Sequence, residues 1–252
     1  MEARSSFFKK HGYMQYKALT ECKSDEMNIL LTEVNNLEKD PYAPKETIRK
    51  RSYGNAIILP WKPDCLFWLP TINSGGQEKS GYDQGSNNPE HGAIRYFNSL
   101  SQNLKKTVFM NNLILEDYHH TFGFSDYYLP IYVGIHLVSV SCTDNSKPGF
   151  SSPDCFHQDG EPFTFAHLIR RSENASGGRN YIAETEARNK KLSEVSPNEI
   201  RHQFQLENFM DSFAVCDKLV SHYVDHLHME KPSTPVERTM ILIDFSKTRQ
   251  SI

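Results

Sequence analysis

The second half of the chain consists of short runs of β-branched and aromatic residues, and this pattern constrains the fold most strongly. Runs of this composition, separated by Gly, Pro, Ser and Asn, are typical of strands joined by turns. The six runs are IYVGIHLVSVSC (131–142), DCFHQ (154–158), PFTFAHLI (162–169), RNYIAE (179–184), FAVCDKLVSHYV (213–224) and RTMILIDFS (238–246). The pattern therefore predicts a strand-rich structure for this half.

The first half has a mixed character. Residues 24–39 have apolar side chains at helical spacing, with Ser24 as the expected N-cap, and residues 102–121 are expected to form a second helix. The segments 51–61 and 92–99 are β-like. Helices followed by several strands predict an α+β or mainly β fold, a sandwich buttressed by helices, and not alternating βαβ units.

Length, charge and cysteine content limit the classes of protein that fit. A chain of 252 residues is consistent with one sizeable domain, and its net charge of −3 gives no strong attraction to nucleic acid or to anionic membranes. No apolar run approaches the roughly 18–20 residues needed to cross a bilayer, and the N-terminus lacks a signal-peptide core. The five cysteines form no CxxC pair, which favours reduced thiols. We expect a cytoplasmic protein.

One long segment, residues 73–92, is polar and rich in glycine. Such a composition predicts a loop without regular structure. Long loops inside compact domains are often functional. We expect this loop to be mobile and to close over a bound substrate as a lid, although a passive surface insertion has the same composition.

The spacing of His157 and Asp159 suggests a metal site. Residues i and i+2 of a strand face the same side, so an imidazole and a carboxylate would project together. These are two of the three ligands of the two-histidine, one-carboxylate arrangement that holds ferrous iron. His222 lies in a later strand-like run and is a candidate third ligand. The alternative is a simple surface pair, since one HxD sequence is weak evidence.

Two further features bear on the site. Arg238 begins an apolar strand 16 residues after His222, and a buried guanidinium needs an anionic partner, which the dicarboxylate 2-oxoglutarate would supply. A competing cluster, His226, His228 and Glu230, has the composition of a zinc or cupin site. Its position in a Pro-bounded turn favours a solvated loop.

Several blocks of the sequence resemble bacterial iron- and 2-oxoglutarate-dependent dioxygenases that hydroxylate free amino acids, the L-isoleucine dioxygenase family. The similarity extends from about residue 40 to 246. The blocks are DPYAPKETIRKRSYG, HGAIRYFNSL, VGIHLVSV, FSSPDCFHQDGEPFTFAHLIRRSENASGGRNYIAE, DKLVSHYV and ERTMILIDFS. The resemblance implies a double-stranded β-helix, a cupin-like jelly roll, in one domain over residues 1–252. Residues 1–125 would provide helical support and substrate loops, and residues 126–250 the jelly-roll core.

The resemblance also implies roles for individual residues. His157, Asp159 and His222 correspond to the Fe(II) ligands, and Arg238 to the group that binds the distal carboxylate of 2-oxoglutarate, with O2 as the second cosubstrate. Many oxygenases have Ser or Thr two residues after this arginine, whereas this chain has Met. The second partner is therefore open: His136 is a candidate, and a histidine bonded within the sheet is the alternative. A carboxylate at position 159 implies hydroxylation, because halogenating relatives have a small residue there.

The resemblance implies a small-molecule substrate, a free and aliphatic L-amino acid such as isoleucine, leucine or methionine. Arg51 and Arg95 are candidates for binding its carboxylate, and Tyr53 and Glu161 for its polar end, although both arginines also suit structural roles. Three alternatives remain. The substrate could be a carrier-bound or peptidyl residue, the protein could hold a metal without turnover, or it could be a zinc hydrolase that uses residues 226–230.

Overall fold

The computed structural model describes residues 2–83, 93–121, 129–151, 153–231 and 234–247. Its helices are α1 (Glu2–His11), α2 (Ser24–Asn35), α3 (Gln102–Lys105) and α4 (Val108–Tyr118). Its strands are β1 (Tyr13–Lys17), β2 (Ile48–Leu59), β3 (Lys62–Trp68), β4 (Ile72–Ser74), β5 (Gln77–Tyr82), β6 (Arg95–Asn98), β7 (Ile131–Cys142), β8 (Phe163–Arg171), β9 (Ala175–Gly177), β10 (Asn180–Ala183), β11 (Ile200–Phe204), β12 (Asp211–Val215), β13 (Ser221–Val224), β14 (Leu227–Met229) and β15 (Val236–Ser246).

A seven-stranded antiparallel sheet forms the larger wall of the molecule. Its strand order is β1-β12-β8-β15-β7-β2-β3. The long central strands β7 and β15 pair over eleven residue positions, from Val236 opposite Cys142 to Ser246 opposite Tyr132. These strands are uniformly rich in Val, Ile and Leu because both faces of the sheet are covered.

The two faces of the large sheet pack against different partners. On β7 the odd positions Ile131 to Leu137 lie in the main core with apolar side chains of α2, α3 and α4. The even positions His136, Val138 and Val140 line a cavity on the other side. This alternation follows from the two-residue period of a strand, and it places the helices behind the sheet, away from the site.

A smaller sheet, in the order β11-β10-β13, covers the cavity face. Ile182 and Phe204 of this sheet share an apolar cluster with Leu168, Phe213 and Met240 of the large sheet. The two sheets therefore pack face to face and enclose a space between them. Two outlying groups, β14-β9 and β4-β5-β6, complete the strand pairing.

The structure corrects four expectations about local structure in the first half of the chain and at residues 213–224. The second helix is two helices, since Thr107 is a separate N-cap whose side chain accepts from the Met110 backbone. Helix α2 begins at Ser24, so Lys23 and not Ser24 is the N-cap. The run 213–224 is divided into β12 and β13 by a turn. The first 125 residues also contribute β1, β2 and β3 to the large sheet.

The glycine-rich segment 73–92 is only partly as predicted. Its first part is a hairpin, in which Ser74 pairs with Gln77 and β5 continues into pairing with β6. Gly75 and Gly76 have positive φ angles of 63° and 79°, which suits a tight two-residue hairpin turn. The glycine content predicts a loop without regular structure, whereas in the structure these two glycines form the turn of a hairpin. Residues 84–92, and the lid expected there, lie outside the described residues.

No helix in the described part of the chain is long and apolar enough to cross a membrane. The described cysteines are all free thiols, as expected from their spacing.

Candidate metal and cosubstrate site

His157 and His222 are held together by their own backbones. Each donates its N–H to the carbonyl of the other, at 2.9 and 3.0 Å, forming an isolated antiparallel bridge at the edge of the smaller sheet. Directly paired residues project to the same face, and the two imidazole ring centres are 4.2 Å apart. The expected strand over 154–158 is thus reduced to this one bridging residue, which is enough to position the ring.

Asp159 completes the group from a turn just beyond His157. Its carboxylate oxygens lie 3.7 Å from His157 Nε2 and 3.5 Å from His222 Nε2. One ligand atom from each residue lies within 4.8 Å of the others, and this is the group of metal-ligating side chains found in the described residues. Three converging donors on one side leave the opposite side open, as a site with exchangeable positions requires.

The turn that carries Asp159 is fixed by a second carboxyl group, Asp217. The backbone N–H of Gly160 donates to Asp217 Oδ2 at 2.5 Å, and the Gln158 side chain donates to the Asp217 carbonyl. Burial and the nearby charge of Asp159 raise the pKa of Asp217 to about 8. Asp217 is therefore mainly protonated at neutral pH, so only one of these two neighbouring carboxyl groups carries a charge there.

The protonation states of the three ligands suit a divalent cation. Burial alone raises the pKa of Asp159, but the adjacent His222 and His157 rings outweigh burial and the net pKa is lowered. Burial lowers the pKa of His222 to about 4, so this ring is neutral at pH 7. The Nδ1 atom of His157 lies 3.1 Å from the Cys155 carbonyl. Since a carbonyl only accepts, Nδ1 carries a proton, which leaves Nε2 as the nitrogen that can bind a metal.

A cavity of about 540 Å³ opens beside the three ligands, between the two sheets. This volume is typical of a small-molecule site. Much of its wall is apolar, from side chains that include Val138, Val140, Phe213, Met240 and Leu242. The polar residues of the wall lie towards two ends of the cavity. We name the first the Arg238 end, after Arg238, and the second the Arg51 end, which contains Arg51, Arg95, His136 and Asp244.

At the Arg238 end, a buried guanidinium has two nitrogen atoms without a hydrogen-bond partner among the described residues. Arg238 is 4% exposed, and its Nε and Nη2 atoms have no hydrogen-bond partner among the described residues. Burial and the neighbouring Arg171 lower its pKa to about 10, which still leaves it charged at neutral pH. A buried, charged fork with free donors requires an anion.

At the Arg51 end, the polar groups are bonded to one another. Arg51 Nη2 lies 2.5 Å from His136 Nδ1, and His136 Nε2 lies 2.9 Å from Asp244 Oδ2. A guanidinium only donates, so Nδ1 is the unprotonated nitrogen and Nε2–H donates to Asp244. Burial, followed by the charges of Arg51 and Arg95, lowers the pKa of His136 well below its usual value. His136 is therefore neutral, and its contact with Asp244 is a hydrogen bond and not an ion pair.

The remaining candidates for substrate binding are placed as follows. Arg95 is 5% exposed and lines the cavity with Arg51. Their guanidinium carbons lie 5.0 and 5.4 Å from the centre of the Tyr82 ring. Tyr53 and Glu161 are buried but are not among the residues that line the cavity, and Tyr53 stacks on His136 at 4.3 Å. The functional roles of these four residues stay predictions.

The competing cluster around His226 is not a metal site in the described part of the chain. His226 Nε2 is bonded to Asp154 Oδ1 at 3.0 Å, and the rings of His226 and His228 are 6.4 Å apart. The segment expected to be a loop forms β14, whose His228 pairs with Ser176 of β9. His226 is therefore bonded to Asp154, and these residues do not form a metal-ligating group among the described residues.

Taken together, the two facing sheets and the triad define a class: jelly-roll metalloproteins with two histidines, one carboxylate and open coordination positions. The model of the 2OG-Fe dioxygenase family matches residues 32–244. L-isoleucine-4-hydroxylase from Bacillus thuringiensis is 30% identical over 253 residues, covering 98% of this chain and 95% of that protein. The chain belongs to the 2OG-Fe dioxygenase family and is an Fe(II)- and 2-oxoglutarate-dependent dioxygenase.

Solved structures agree on the fold. The crystal structure of IDO from Bacillus thuringiensis has a TM-score of 0.70 at 23% identity, covering 98% of this chain and 99% of that one. A bsmA homologue from Methylobium petroleophilum PM1 has a TM-score of 0.76 at 15% identity, covering 99% of this chain and 95% of that one. The expected double-stranded β-helix is confirmed, and the alternatives of a zinc hydrolase and of a protein that binds metal without turnover are wrong.

The residues present fit the cofactors that this family uses, which are Fe(II), 2-oxoglutarate and O2. His157, Asp159 and His222 would supply nitrogen and oxygen donors of the kind that ferrous iron accepts. The unpartnered donors of Arg238 suit a carboxylate, and Arg238 lies on the wall of the same cavity. Iron and 2-oxoglutarate, when bound, couple the loss of CO2 from the keto acid to the insertion of one oxygen atom of O2 into a C–H bond.

Sequence reasoning did not find Asp217 or Asp244. Asp217 is remote in sequence from the turn that it stabilises, and Asp244 follows Arg238 by six residues on the same face of β15. The strand period of two was a usable signal for Asp244, because positions 238, 240, 242 and 244 all line the cavity. No local signal marked Asp217.

Proposed function

We propose that the protein hydroxylates a free aliphatic L-amino acid, with succinate and CO2 as the other products. The relative with 30% identity is named for 4-hydroxylation of L-isoleucine. The observation that carries the proposal is the Arg51 end of the cavity, where buried cations and a buried acid lie beside an apolar wall. A free amino acid with an aliphatic side chain has this combination of charges and apolar surface.

The cationic side of this end would bind the substrate carboxylate. Arg51 is partly exposed, but its Nε atom is buried and has no partner among the described residues. Burial lowers its pKa to about 10, so the guanidinium stays charged. Arg95 lies beside it over the same aromatic rings of Tyr82 and Phe97. Two guanidinium groups on one aromatic platform offer a carboxylate several parallel donors.

The acidic side would bind the ammonium group. Asp244 is 3% exposed, lines the cavity and accepts from His136. The carboxylate lies over Gly134, where a Cβ atom would come within 2.4 Å of Oδ1. A glycine at 134 therefore leaves the room that the carboxylate occupies. We assign to Asp244 the role that the sequence suggested for Tyr53 or Glu161.

The apolar wall would hold the aliphatic side chain and keep water from the reacting carbon. Val138 and Leu242 line the cavity next to His136 and Asp244, one strand period away on β7 and β15. A substrate anchored at its polar end would direct its side chain along this wall. Positioning of one carbon beside the metal is the contribution that a rigid pocket makes to such a reaction.

The test is an anaerobic incubation of the Fe(II)-loaded protein with 2-oxoglutarate, followed by O2, against each of the twenty amino acids. We expect succinate and a mass gain of one oxygen atom with aliphatic L-amino acids. Blocking either charged group checks the proposed contacts, so the methyl ester and the N-acetyl derivative of the best substrate should both lose hydroxylation. Hydroxylation of a thioester-linked or peptidyl residue, with none for the free amino acid, would contradict the proposal.

A further inference from the structure

One residue outside the assigned site has an unusual environment. Asn180, at the start of β10, is 1% exposed, and neither its Nδ2 nor its Oδ1 atom has a hydrogen-bond partner among the described residues. Buried side-chain amides are normally bonded, and each exception in a native structure calls for an explanation such as a ligand or a water. An amide lacking partners for both its donor and its acceptor is a marked exception.

The side chain of Asn180 is on the cavity face of the smaller sheet. Asn180 pairs directly with Val224 of β13, and paired residues of antiparallel strands project to the same side. Val224 lines the cavity, and His222, two residues earlier on the same strand, is one of the three metal ligands. Asn180 is thus on the same side of the sheet as the metal site.

The chain just before Asn180 lies against the Arg238 end. Gly178 has a φ of +68°, and a Cβ atom there would lie 3.3 Å from Arg238 Cδ and 3.0 Å from Arg171 Nη1. The turn between β9 and β10 therefore contacts both arginines, and Asn180 follows two residues later. Arg171 Nη1 is also buried without a partner among the described residues.

Near the turn at Gly178, Arg238, Arg171 and Asn180 all have buried polar atoms without a hydrogen-bond partner among the described residues, and of the three Arg238 lines the cavity. The position two residues after Arg238 is occupied by Met240, whose thioether is only a weak acceptor and donates nothing to a carboxylate. A carboxylate bound by Arg238 has further acceptor sites, and a donor for them must come from another strand.

We propose that Asn180 is the second protein partner of the distal carboxylate of 2-oxoglutarate. Its Nδ2 donates to a carboxylate oxygen, and its Oδ1 accepts from a guanidinium N–H at the same end of the cavity. This pairing satisfies both polar atoms of an amide that has no other hydrogen-bond partner among the described residues. The assignment rests on the cosubstrate of the family and is independent of the amino acid that is hydroxylated.

A structural role for the amide is less consistent with its surroundings. The neighbours of Asn180 on the same face include Ile182 and Phe204, both in an apolar cluster. The strand pairing of β10 is made by backbone groups, so the side chain contributes nothing to it. Leucine, which is similar to asparagine in size, would suit an apolar environment better if no ligand had to be bound.

The experiment measures the dissociation constant of 2-oxoglutarate by calorimetry, with the Fe(II)-loaded protein under anaerobic conditions. We expect Asn180→Leu to weaken binding by about 10- to 100-fold, the range for hydrogen bonds to a charged group. The melting temperature of the protein without cosubstrate should stay the same or rise, since an unpartnered amide has been removed. An unchanged dissociation constant together with a lower melting temperature would overturn the proposal and show a structural amide.

Two comparisons make the result specific. With 2-oxobutyrate, which lacks the distal carboxylate, wild type and Asn180→Leu should bind equally, and an equal loss for both keto acids would contradict the assignment. Asn55→Leu is the matched control: Asn55 is buried and donates to the Gly81 carbonyl, outside the cavity wall. It should lower the melting temperature and leave 2-oxoglutarate binding unchanged.

If Asn180→Leu does not fold, Asn180→Asp replaces it. Aspartate has nearly the same shape, and its charge would repel the distal carboxylate. We expect binding of 2-oxoglutarate to weaken at least as much as in the leucine variant, with 2-oxobutyrate again unaffected. Wild-type affinity for 2-oxoglutarate in this variant would also overturn the proposal.

Discussion

The two polar ends of the cavity differ in how their buried groups are satisfied. At the Arg51 end, Arg51, His136 and Asp244 form a continuous chain of hydrogen bonds across three strands. At the Arg238 end, Arg238 and Asn180 have polar atoms without a partner in the described residues. Both ends belong to one sheet sandwich, so the contrast arises from side-chain chemistry and not from different packing.

This contrast has a physical consequence for ligand binding. An unmet hydrogen bond at a buried polar group costs about 1–3 kcal/mol, and more for a charged one. A ligand that satisfies such groups recovers this free energy, so the Arg238 end should favour its anion strongly. At the Arg51 end Arg51 Nε is also without a partner among the described residues, but most of the polar groups there are already bonded to one another, so a ligand must fit a largely fixed arrangement. We interpret the first as the cosubstrate end and the second as the substrate end.

Removal of a metal ligand should have the largest effect, since both ends act on the same metal. We expect His222→Ala to lower iron-dependent succinate formation by at least about 100-fold, because the loss of a ligand exceeds the loss of an outer partner. Bound iron and succinate are the measurements. His226→Ala is the control, since His226 is bonded to Asp154 and should keep most activity. The reverse pattern would show that the distal ligand is wrongly assigned.

The next effect concerns the Arg238 end alone. Lysine keeps the charge at position 238 but loses the two-pronged geometry. We expect Arg238→Lys to weaken 2-oxoglutarate binding by about 10- to 100-fold, with a much smaller change in the KM of the amino acid. Arg170→Lys is the matched control, because Arg170 pairs with Glu237 near the surface. An unchanged dissociation constant in the Arg238 variant would remove the distinction between the ends.

The mirror experiment concerns the Arg51 end. A lysine at position 51 does not reproduce the planar donors that bind both His136 and a carboxylate. Arg51→Lys should therefore raise the KM of the amino acid by about tenfold, equivalent to roughly 1.4 kcal/mol, and leave the affinity for 2-oxoglutarate unchanged. Steady-state kinetics with each substrate varied in turn provides the measurement. A loss of affinity confined to 2-oxoglutarate would show that the Arg51 end binds the cosubstrate and not the amino acid.

The smallest effect is on stability and tests the neutral state of His136. The unfolded chain takes up a proton at histidine near pH 6.5, whereas folded His136 does so only well below this value. Its stabilising contribution is therefore present above about pH 6.5 and is lost as the pH falls. The free energy of unfolding of the metal-free protein should decrease between pH 7 and 5, and His136→Gln should show a smaller decrease. Equal slopes would mean that the pKa of His136 is the same in the folded and in the unfolded chain.

Local signals account for much of what the sequence predicted. Strand β7 was predicted with its observed bounds, 131–142, because an uninterrupted β-branched run has few other solutions. His157 and Asp159 were singled out by their spacing of two, His222 by its place in a strand-like run and Arg238 by its place at the start of an apolar strand, and the family resemblance then implied their roles. The hairpin at Gly75 was missed because a two-residue turn and a loop have similar composition.

The remaining features depend on register between distant strands. Asn180 is placed on the cavity-facing side of the smaller sheet by its pairing with Val224, 44 positions along the chain. Asp244 reaches His136 across the pairing of β15 with β7. Nothing in the residues near either position indicates these partners, because a shift of one residue in register would turn each side chain to the opposite face.

The most direct test of the account is a crystal structure of the anaerobic complex with Fe(II) and 2-oxoglutarate. We predict iron on His157, Asp159 and His222, with the distal carboxylate within hydrogen-bond distance of Arg238 and Asn180. The bonds from Arg51 to His136 and from His136 to Asp244 should persist, leaving that end for the amino acid. A distal carboxylate bound at Arg51, with Arg238 and Asn180 still lacking partners, would contradict the assignment of the two ends.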